Sequence, residues 1–135
     1  MKILQPKRIK YKKIKKGSIK KFEYKSNKLK FGTIGLKAAK SGLISSKQIE
    51  AARQAISRKI KRNGKIWIRI YPHTPITKKP IEVRMGKGKG QISHWVAKVA
   101  AGKVLFEVCG VNKDFAIEAF RTGSAKLCIK TRVFD

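Results

Sequence analysis

The sequence predicts an α+β fold, a two-layer sandwich in which a mixed or antiparallel sheet carries two helices, entered through a basic, extended N-terminal arm. Three observations predict it. Two segments, beginning near Ser45 and Asn112, place apolar residues at helical spacing directly behind a residue able to cap a helix. Several short runs around them are β-branched or aromatic and bounded by Gly, Pro or Asn, the pattern of strands. Residues 1–30 hold 13 of the 35 Lys and Arg and a single acid, Glu23, so they form no core of their own.

Taken in order, residues 1–28 are the arm. Its apolar punctuation is Ile3, Leu4, Ile9, Tyr11, Ile14, Ile19 and Phe22. Charge runs are usually solvated tails. Here the run is of one sign and carries Tyr11 and Phe22, which can stack on bases or anchor the arm on the domain. Residues 29–135 form one α+β domain. Leu29, Phe31, Thr33 and Gly35 alternate with their neighbours as a strand would, and Gly42 breaks the chain. A helix is expected over 46–62. Ser45 and Gln48 make a capping box, Ile49, Ala52, Ile56 and Ile60 form its buried stripe, and Asn63-Gly64 supplies the left-handed C-terminal cap. Its outer face carries Arg53, Arg58, Lys59, Lys61 and Arg62, a basic surface suited to phosphate. Lys65–Tyr71 is a strand with Ile66, Ile68 and Ile70 on one face. Its other face, Trp67, Arg69 and Tyr71, is either half-covered protein surface or a place where Arg69 pairs a phosphate and the rings stack.

Pro72, Pro75 and Pro80 predict an irregular connection containing His73, a surface residue. A short strand is expected at Ile81–Arg84, then strands near Ile92–Val99 and Lys103–Val108 joined by a turn at Ala101-Gly102. The second helix runs from the Asn112 cap to about Ala125, with Asp114 in its first turn. Its buried face is expected to be Phe115, Ala116, Ala119 and Phe120. Cys128–Phe134 closes the domain as a strand.

Charge identifies the partner class. Thirty-five basic residues stand against 7 acids, a formal net charge of +28 over 135 residues. Such a chain needs a polyanion around it. No stretch approaches the roughly 18 apolar residues of a membrane span. The basic start is not followed by an apolar segment, as a secretory signal would be, and it is too Lys-rich for a mitochondrial transit peptide. The expectation is residence where the chain is made, or a processed form. Cys109 and Cys128 lie apart, with no His cluster, so no zinc site is expected and both read as buried reduced thiols.

The segment Arg84-Met85-Gly86-Lys87-Gly88-Lys89-Gly90 carries the chemistry. It is not a nucleotide-binding P-loop: Gly90 follows Gly88-Lys89 where Ser or Thr is needed to hold magnesium, and a strand rather than a helix follows. Glycines at 86, 88 and 90 do not make a dinucleotide fingerprint either. Alternating Gly and Lys instead makes a thin cationic finger whose backbone can come close to RNA. The bland alternative is a mobile hairpin tip with no contacts. The seven acids are scattered, and neither His73 nor His94 neighbours a carboxylate or a Cys in sequence, so no catalytic constellation or cofactor site is expected. The rival functions are a DNA-compacting or generic RNA-binding protein, and an RNA-directed enzyme relying on Glu107 or His94.

Several stretches together resemble one family. They are Leu4-Gln5-Pro6-Lys7-Arg8, Gln48-Ile49-Glu50-Ala51-Ala52-Arg53, Gly64-Lys65-Ile66-Trp67-Ile68-Arg69, Pro75-Ile76-Thr77, Lys79-Pro80, Val83 to Gly90, and Ala125-Lys126-Leu127. In this order, across nearly the whole chain, they resemble the universal large-subunit ribosomal protein family sixteen, in its bacterial and organellar branch. The resemblance implies an α+β sandwich and a structural protein of the large ribosomal subunit, not an enzyme and without a cofactor. It implies binding to large-subunit rRNA near the 5S rRNA, beside neighbouring ribosomal proteins. It implies a finger, Arg84–Gly90, directed at the tRNA sites near the peptidyl-transferase centre, where it helps position A-site tRNA. The expected rRNA-binding residues are Lys7, Arg8, Lys10, Tyr11, Lys12, Lys13, Lys15 and Lys16 on the arm, Arg53, Arg58, Lys61 and Arg62 on the first helix, and Arg69 on the strand. The Lys-rich segment Gly17–Asn27, His94 before Trp95, and Cys128 in place of a common proline depart from the family pattern. The Lys and Ile bias suggests an AT-rich genome. With Cys128 it points to a mitochondrial ribosome, with a plastid or bacterial cytoplasm as alternatives.

Overall fold

A computed structural model describes residues 4–135; the sequence expectation that Ile3 belongs to the arm's apolar punctuation lies outside them. The α+β class holds. Its strands divide into two antiparallel sheets. One has the order β3-β6-β1-β7, built from β3 (Lys65–Ile68), β6 (Val104–Cys109), β1 (Ile34–Ala38) and β7 (Thr131–Phe134). The other has the order β2-β5-β4, built from β2 (Gly42–Ser45), β5 (Gln91–Val99) and β4 (Thr74–Lys78). Helices α1 (Ser46–Lys59) and α2 (Lys113–Ser124) pack on each other. One core joins both sheets and both helices, from Ile44 and Val99 through Ile49 and Ile56 to Phe106 and Phe120.

The helices form where local chemistry directs. The Ser45 hydroxyl accepts from the Gln48 amide at 3.3 Å, and the Gln48 side chain accepts from the Ser45 amide at 2.9 Å, closing the capping box. The stripe Ile49, Ala52, Ile56 and Ile60 is buried. The C-terminus differs from expectation: α1 ends at Lys59 and caps at Ile60. Lys61 (φ 53°) and Arg62 (φ 62°) already take the left-handed turn before Gly64 (φ 73°). In α2 the Asn112 side chain caps the helix and Asp114 lies in the first turn. The buried face is Ala116, Ala119, Phe120 and Gly123, spaced i, i+3, i+4 and i+7. Phe115 sits one position ahead of that stripe and is half exposed, which corrects its placement in the core. Gly123 is needed for close approach: a Cβ there would lie 2.6 Å from Ile56 Cγ1.

The strands depart further, because each depends on a distant partner. Leu29–Thr33 is not strand. Three of its amides, those of residues 30–32, turn aside onto a side chain, and β1 begins only at Ile34. Gly42 opens β2 rather than breaking the chain. Residues 74–78, expected to be irregular, form β4 despite Pro75. β4 is a sheet edge paired only with β5, so the missing N–H leaves no ladder partner unmet. Ile81–Arg84 is not a strand, because the β4–β5 ladder ends at Lys78 opposite Gln91 and nothing lies beside it. β5 and β6 are joined through Ala101-Gly102 but belong to different sheets. The closing strand is shorter than expected, starting at Thr131. Both cysteines are free. Cys109 is partly exposed and Cys128 exposed, correcting the expectation of two buried thiols. The Cys128 thiol reaches the Leu43 carbonyl at 3.0 Å.

The side chain that captures residues 30–32 is Glu107, in the middle of β6 and fully buried. Its carboxylate accepts from the amides of Lys30 (3.2 Å), Phe31 (2.7 Å) and Gly32 (2.8 Å) and pairs with the Arg69 guanidinium beyond β3. Burial alone would push the carboxyl up. The three amides and Arg69 outweigh it and hold the group below its ordinary value.

Two stability experiments follow. Ile56→Asp should unfold the domain, since an unpaired carboxylate in the helix stripe costs several kcal/mol, a large share of a small domain's stability; circular dichroism with native helix and an unchanged Tm would refute the buried stripe. Glu107→Ala should cost about 3–5 kcal/mol by stranding three amides and an arginine. Because the folded carboxyl titrates below its ordinary value of about 4.5, its contribution is complete above that pH and disappears as pH falls through the lower folded value. The Tm gap between wild type and Glu107→Gln should therefore be constant from pH 7 to about 5 and close under stronger acid; a gap that closes near neutrality contradicts the assignment.

Candidate nucleic-acid interface

Five of the seven acids are paired with a cation. Glu23 pairs with Lys103, Glu50 with Arg53, Glu107 with Arg69, Glu118 with Lys59 and Asp135 with Lys113. Among the described residues the remaining Lys and Arg form no ion pair, and the surface they cover is strongly positive. The Glu23 carboxyl is held low by the Ser26 amide, against a smaller upward push from burial, and by Lys103. That pair fastens the end of the arm to the domain. The Glu23 amide donates to Ala101 (2.9 Å), and the Val104 amide donates to the Ser26 carbonyl (2.9 Å). The Phe22 ring lies over Gly102, where a Cβ would come within 2.5 Å of it. Phe22 thus anchors the arm, one of its two expected roles.

The expected binding residues fall into three sets. On the arm, Lys7, Arg8, Lys10, Tyr11, Lys12, Lys13, Lys15 and Lys16 are all exposed, and the Lys10 ammonium lies 5.5 Å from the Tyr11 ring centroid. In the last turn of α1 and just beyond it, Arg58, Lys61 and Arg62 are exposed and free of ion pairs. Arg53 differs, because Glu50 grips it at 2.6 and 2.9 Å. Arg69 differs more: its guanidinium is turned onto the buried Glu107 and is largely covered.

The finger spans the β4–β5 connection. Arg84, Met85, Gly86, Lys87, Gly88 and Lys89 are exposed, and Gly90 is partly covered. Gly86 (φ 100°), Lys87 (φ 54°) and Gly88 (φ 83°) wind in the left-handed region, where glycine is favoured. A Cβ at Gly86 or Gly88 would meet nothing within 4 Å, so these glycines serve backbone conformation and an unobstructed approach rather than packing. Gly90 instead lies against the Lys78 carbonyl. The arm and the finger touch. The Lys13 ammonium donates to the Lys89 carbonyl at 2.8 Å, and the Lys89 ammonium donates to the Ile14 carbonyl at 2.5 Å. Lys79 also donates to the Gly86 carbonyl. An open groove results, lined by Lys13, Lys78, Lys79, Lys87 and Lys89 over Ile81 and Val83. Ile81 is 97% exposed and Met85 93%.

Sequence reasoning missed the arm–finger contact, which joins residues 75 and 76 positions apart, and it missed Glu107 as a hub. The available signal for Glu107 was a lone acid inside the apolar run Val104–Cys109. Among the described residues no group of three His, Cys, Asp or Glu could hold a metal, and no helix is long and apolar enough to cross a membrane.

Comparison with known proteins is consistent with this cationic architecture. The family model described as ribosomal protein L16p/L10e matches residues 6–134. The chain is 52% identical over 129 residues to the large ribosomal subunit protein uL16 of Stenotrophomonas maltophilia (strain R551-3), covering 96% of this chain and 94% of that one. Identity to the proteins of the same name from Halorhodospira halophila and Francisella tularensis subsp. holarctica is 54% and 53% over the same shares. A family match over residues 6–134, with more than half of 129 aligned positions identical in each of these relatives, goes beyond a shared composition: the chain belongs to the ribosomal protein L16p/L10e family.

Proposed function

We propose that this protein is a structural constituent of the large ribosomal subunit that binds large-subunit rRNA and helps position tRNA near the A site and peptidyl-transferase centre, without catalysing a reaction itself. The observation that carries it is the sorting of charge. Internal partners take up five of the seven acids, while cations on the arm, on α1 and on the finger stay exposed. Such a surface repels itself, and phosphates around it relieve that repulsion. Residues 1–28 act as an arm on rRNA through Lys7, Arg8, Lys10, Tyr11, Lys12, Lys13, Lys15 and Lys16. Arg58, Lys61 and Arg62 extend that contact, with Arg53 beside them. Arg69 contributes through the loop it holds. Arg84 to Gly90 form the tRNA-directed finger. Its exposed Met85 and the nearby Ile81 are further reasons to expect a covering partner. Neighbouring ribosomal proteins and the 5S rRNA region belong to the same assembly. A mitochondrial ribosome is the proposed setting, supported by the Lys and Ile bias and by Cys128; detection of the chain in fractionated organelles, or only in a bacterial or plastid ribosome, decides it.

The arm is tested by salt. Each phosphate contact contributes about −0.7 to −0.9 to the slope of log affinity against log salt. Replacing Lys7, Arg8, Lys10, Lys12, Lys15 and Lys16 by Gln should flatten the slope by several units and leave the Tm near wild type. This variant is preferable to deletion because Leu4 packs against the core. An unchanged slope removes the arm from the RNA contact.

The finger is tested on purified ribosomes. Replacing Arg84, Lys87 and Lys89 by Ala should leave the Tm and the subunit's content of this protein unchanged, because none of the three enters the core. A-site tRNA accommodation should slow in a graded way, since a charge-assisted contact is worth about 1.5–3 kcal/mol. Normal accommodation refutes the tRNA role; loss of the protein from the subunit makes the finger an assembly element.

A further inference from the structure

Phe31 is 50% exposed, yet its backbone is held on both sides. The amides of Lys30, Phe31 and Gly32 all donate to the buried Glu107 carboxylate. Gly32 is so close to β6 that a Cβ would sit 2.8 Å from the Val108 carbonyl oxygen. The ring is supported as well. It stacks on Trp67 with centroids 6.1 Å apart and planes 16° apart, and the Arg69 guanidinium carbon lies 5.3 Å from its centroid. Two further cations flank the pair: the Lys30 ammonium is 5.5 Å from the Phe31 centroid and the Lys65 ammonium 5.4 Å from the Trp67 centroid. Neither lysine forms an ion pair among the described residues, and Glu107 is occupied beneath them.

An apolar ring held rigid in solvent gains nothing for folding by that rigidity, but it lowers the ordering cost of binding. Rings flanked by cations meet the needs of single-stranded nucleic acid, with a π-face for a base and ammonium groups for the phosphates beside it. A paired base inside a helix offers no face to such a ring, whereas unpaired bases of loops and bulges do. An apolar protein partner would require the two lysines to be desolvated without a counter-charge. We propose that Phe31, backed by Trp67 and flanked by Lys30 and Lys65, is a stacking platform for an unpaired base of large-subunit rRNA. It lies on the sheet containing β3, whereas the tRNA-directed finger extends from the other sheet. The proposal rests on the RNA-binding reading above and adds that this site takes a base and not phosphate alone.

The test uses the full chain and two probes: a short single-stranded RNA carrying one 2-aminopurine, and the same ribose-phosphate chain without bases. Wild type should bind the base-bearing strand about tenfold more tightly than the abasic one, the scale of one stacked base, and should quench the 2-aminopurine. Phe31→Leu should lose most of that preference and Phe31→Tyr should keep it, with all three proteins binding the abasic strand alike. Equal affinity of wild type for the two strands overturns the platform, as does a preference that survives in Phe31→Leu. If Phe31→Leu melts early, the quenching by wild type and Phe31→Tyr decides alone: its absence overturns the proposal. Failure to bind the abasic strand at low salt is a different outcome, since it refutes the phosphate-binding reading itself. In purified large subunits, a photoreactive group at position 31 should cross-link to an rRNA base; cross-linking to tRNA or to protein instead overturns the assignment.

Discussion

Glu107 is the point on which three separate segments of this molecule converge. It occupies the centre of β6, between β3 and β1, where neighbouring side chains are apolar and no water reaches it. A carboxylate there is tolerable only with its acceptor positions filled. The chain fills them from outside the strand, with three successive amides of residues 30–32 and with the guanidinium of Arg69. The entry of the arm's end into the domain, the start of β1 and the orientation of the outer face of β3 all depend on this one group. A hydrophobic residue of similar volume would pack as well in β6, but it would leave residues 30–32 without acceptors.

The same economy governs three other acids. Glu23 secures the arm's end to the turn between β5 and β6, Glu118 ties α2 to α1 through Lys59, and Asp135 holds Lys113 at the start of α2. Each joins segments distant in sequence. Placing scarce negative charge at the seams leaves the outward surface to lysine and arginine. The fold thereby reduces self-repulsion where it would open the structure and leaves it where RNA can neutralise it.

The finger and the arm illustrate how thin structure can be placed without a core. Gly86 and Gly88 have open space around them, so their value lies in the left-handed backbone that winds the tip back on itself. The reciprocal bonds between Lys13, Ile14 and Lys89 hold the arm against the tip. Bonds from exposed lysines are individually weak, and they lie beside three further ammonium groups. Their geometry is therefore the one expected of parts that a surrounding polyanion holds together.

The sequence by itself determined what is local or additive. The capping box of α1, the Asn112 cap of α2 and the stripe of α1 need only residues two to four positions apart, so Ser45 with Gln48 and Asn112 at the head of α2 were legible directly. The excess of cations and the Gly/Lys alternation of 86–90 are properties of composition and order; they point to a polyanionic partner, and the family resemblance narrows it to ribosomal RNA. Tertiary structure decided whatever depends on which distant segment lies opposite. Residues 74–78 became a strand despite Pro75 because β5 offered one edge and nothing required the other. Residues 30–32 gave up strand pairing because Glu107 took their amides, and Arg69 turned inward onto the same carboxylate. Phe115 fell outside the core and Cys128 reached the surface because burial depends on the packing partner, not on the residue's own polarity. Backbone periodicity is written in neighbouring residues; the pairing of a carboxylate with amides more than seventy positions away is fixed only when the chain has folded.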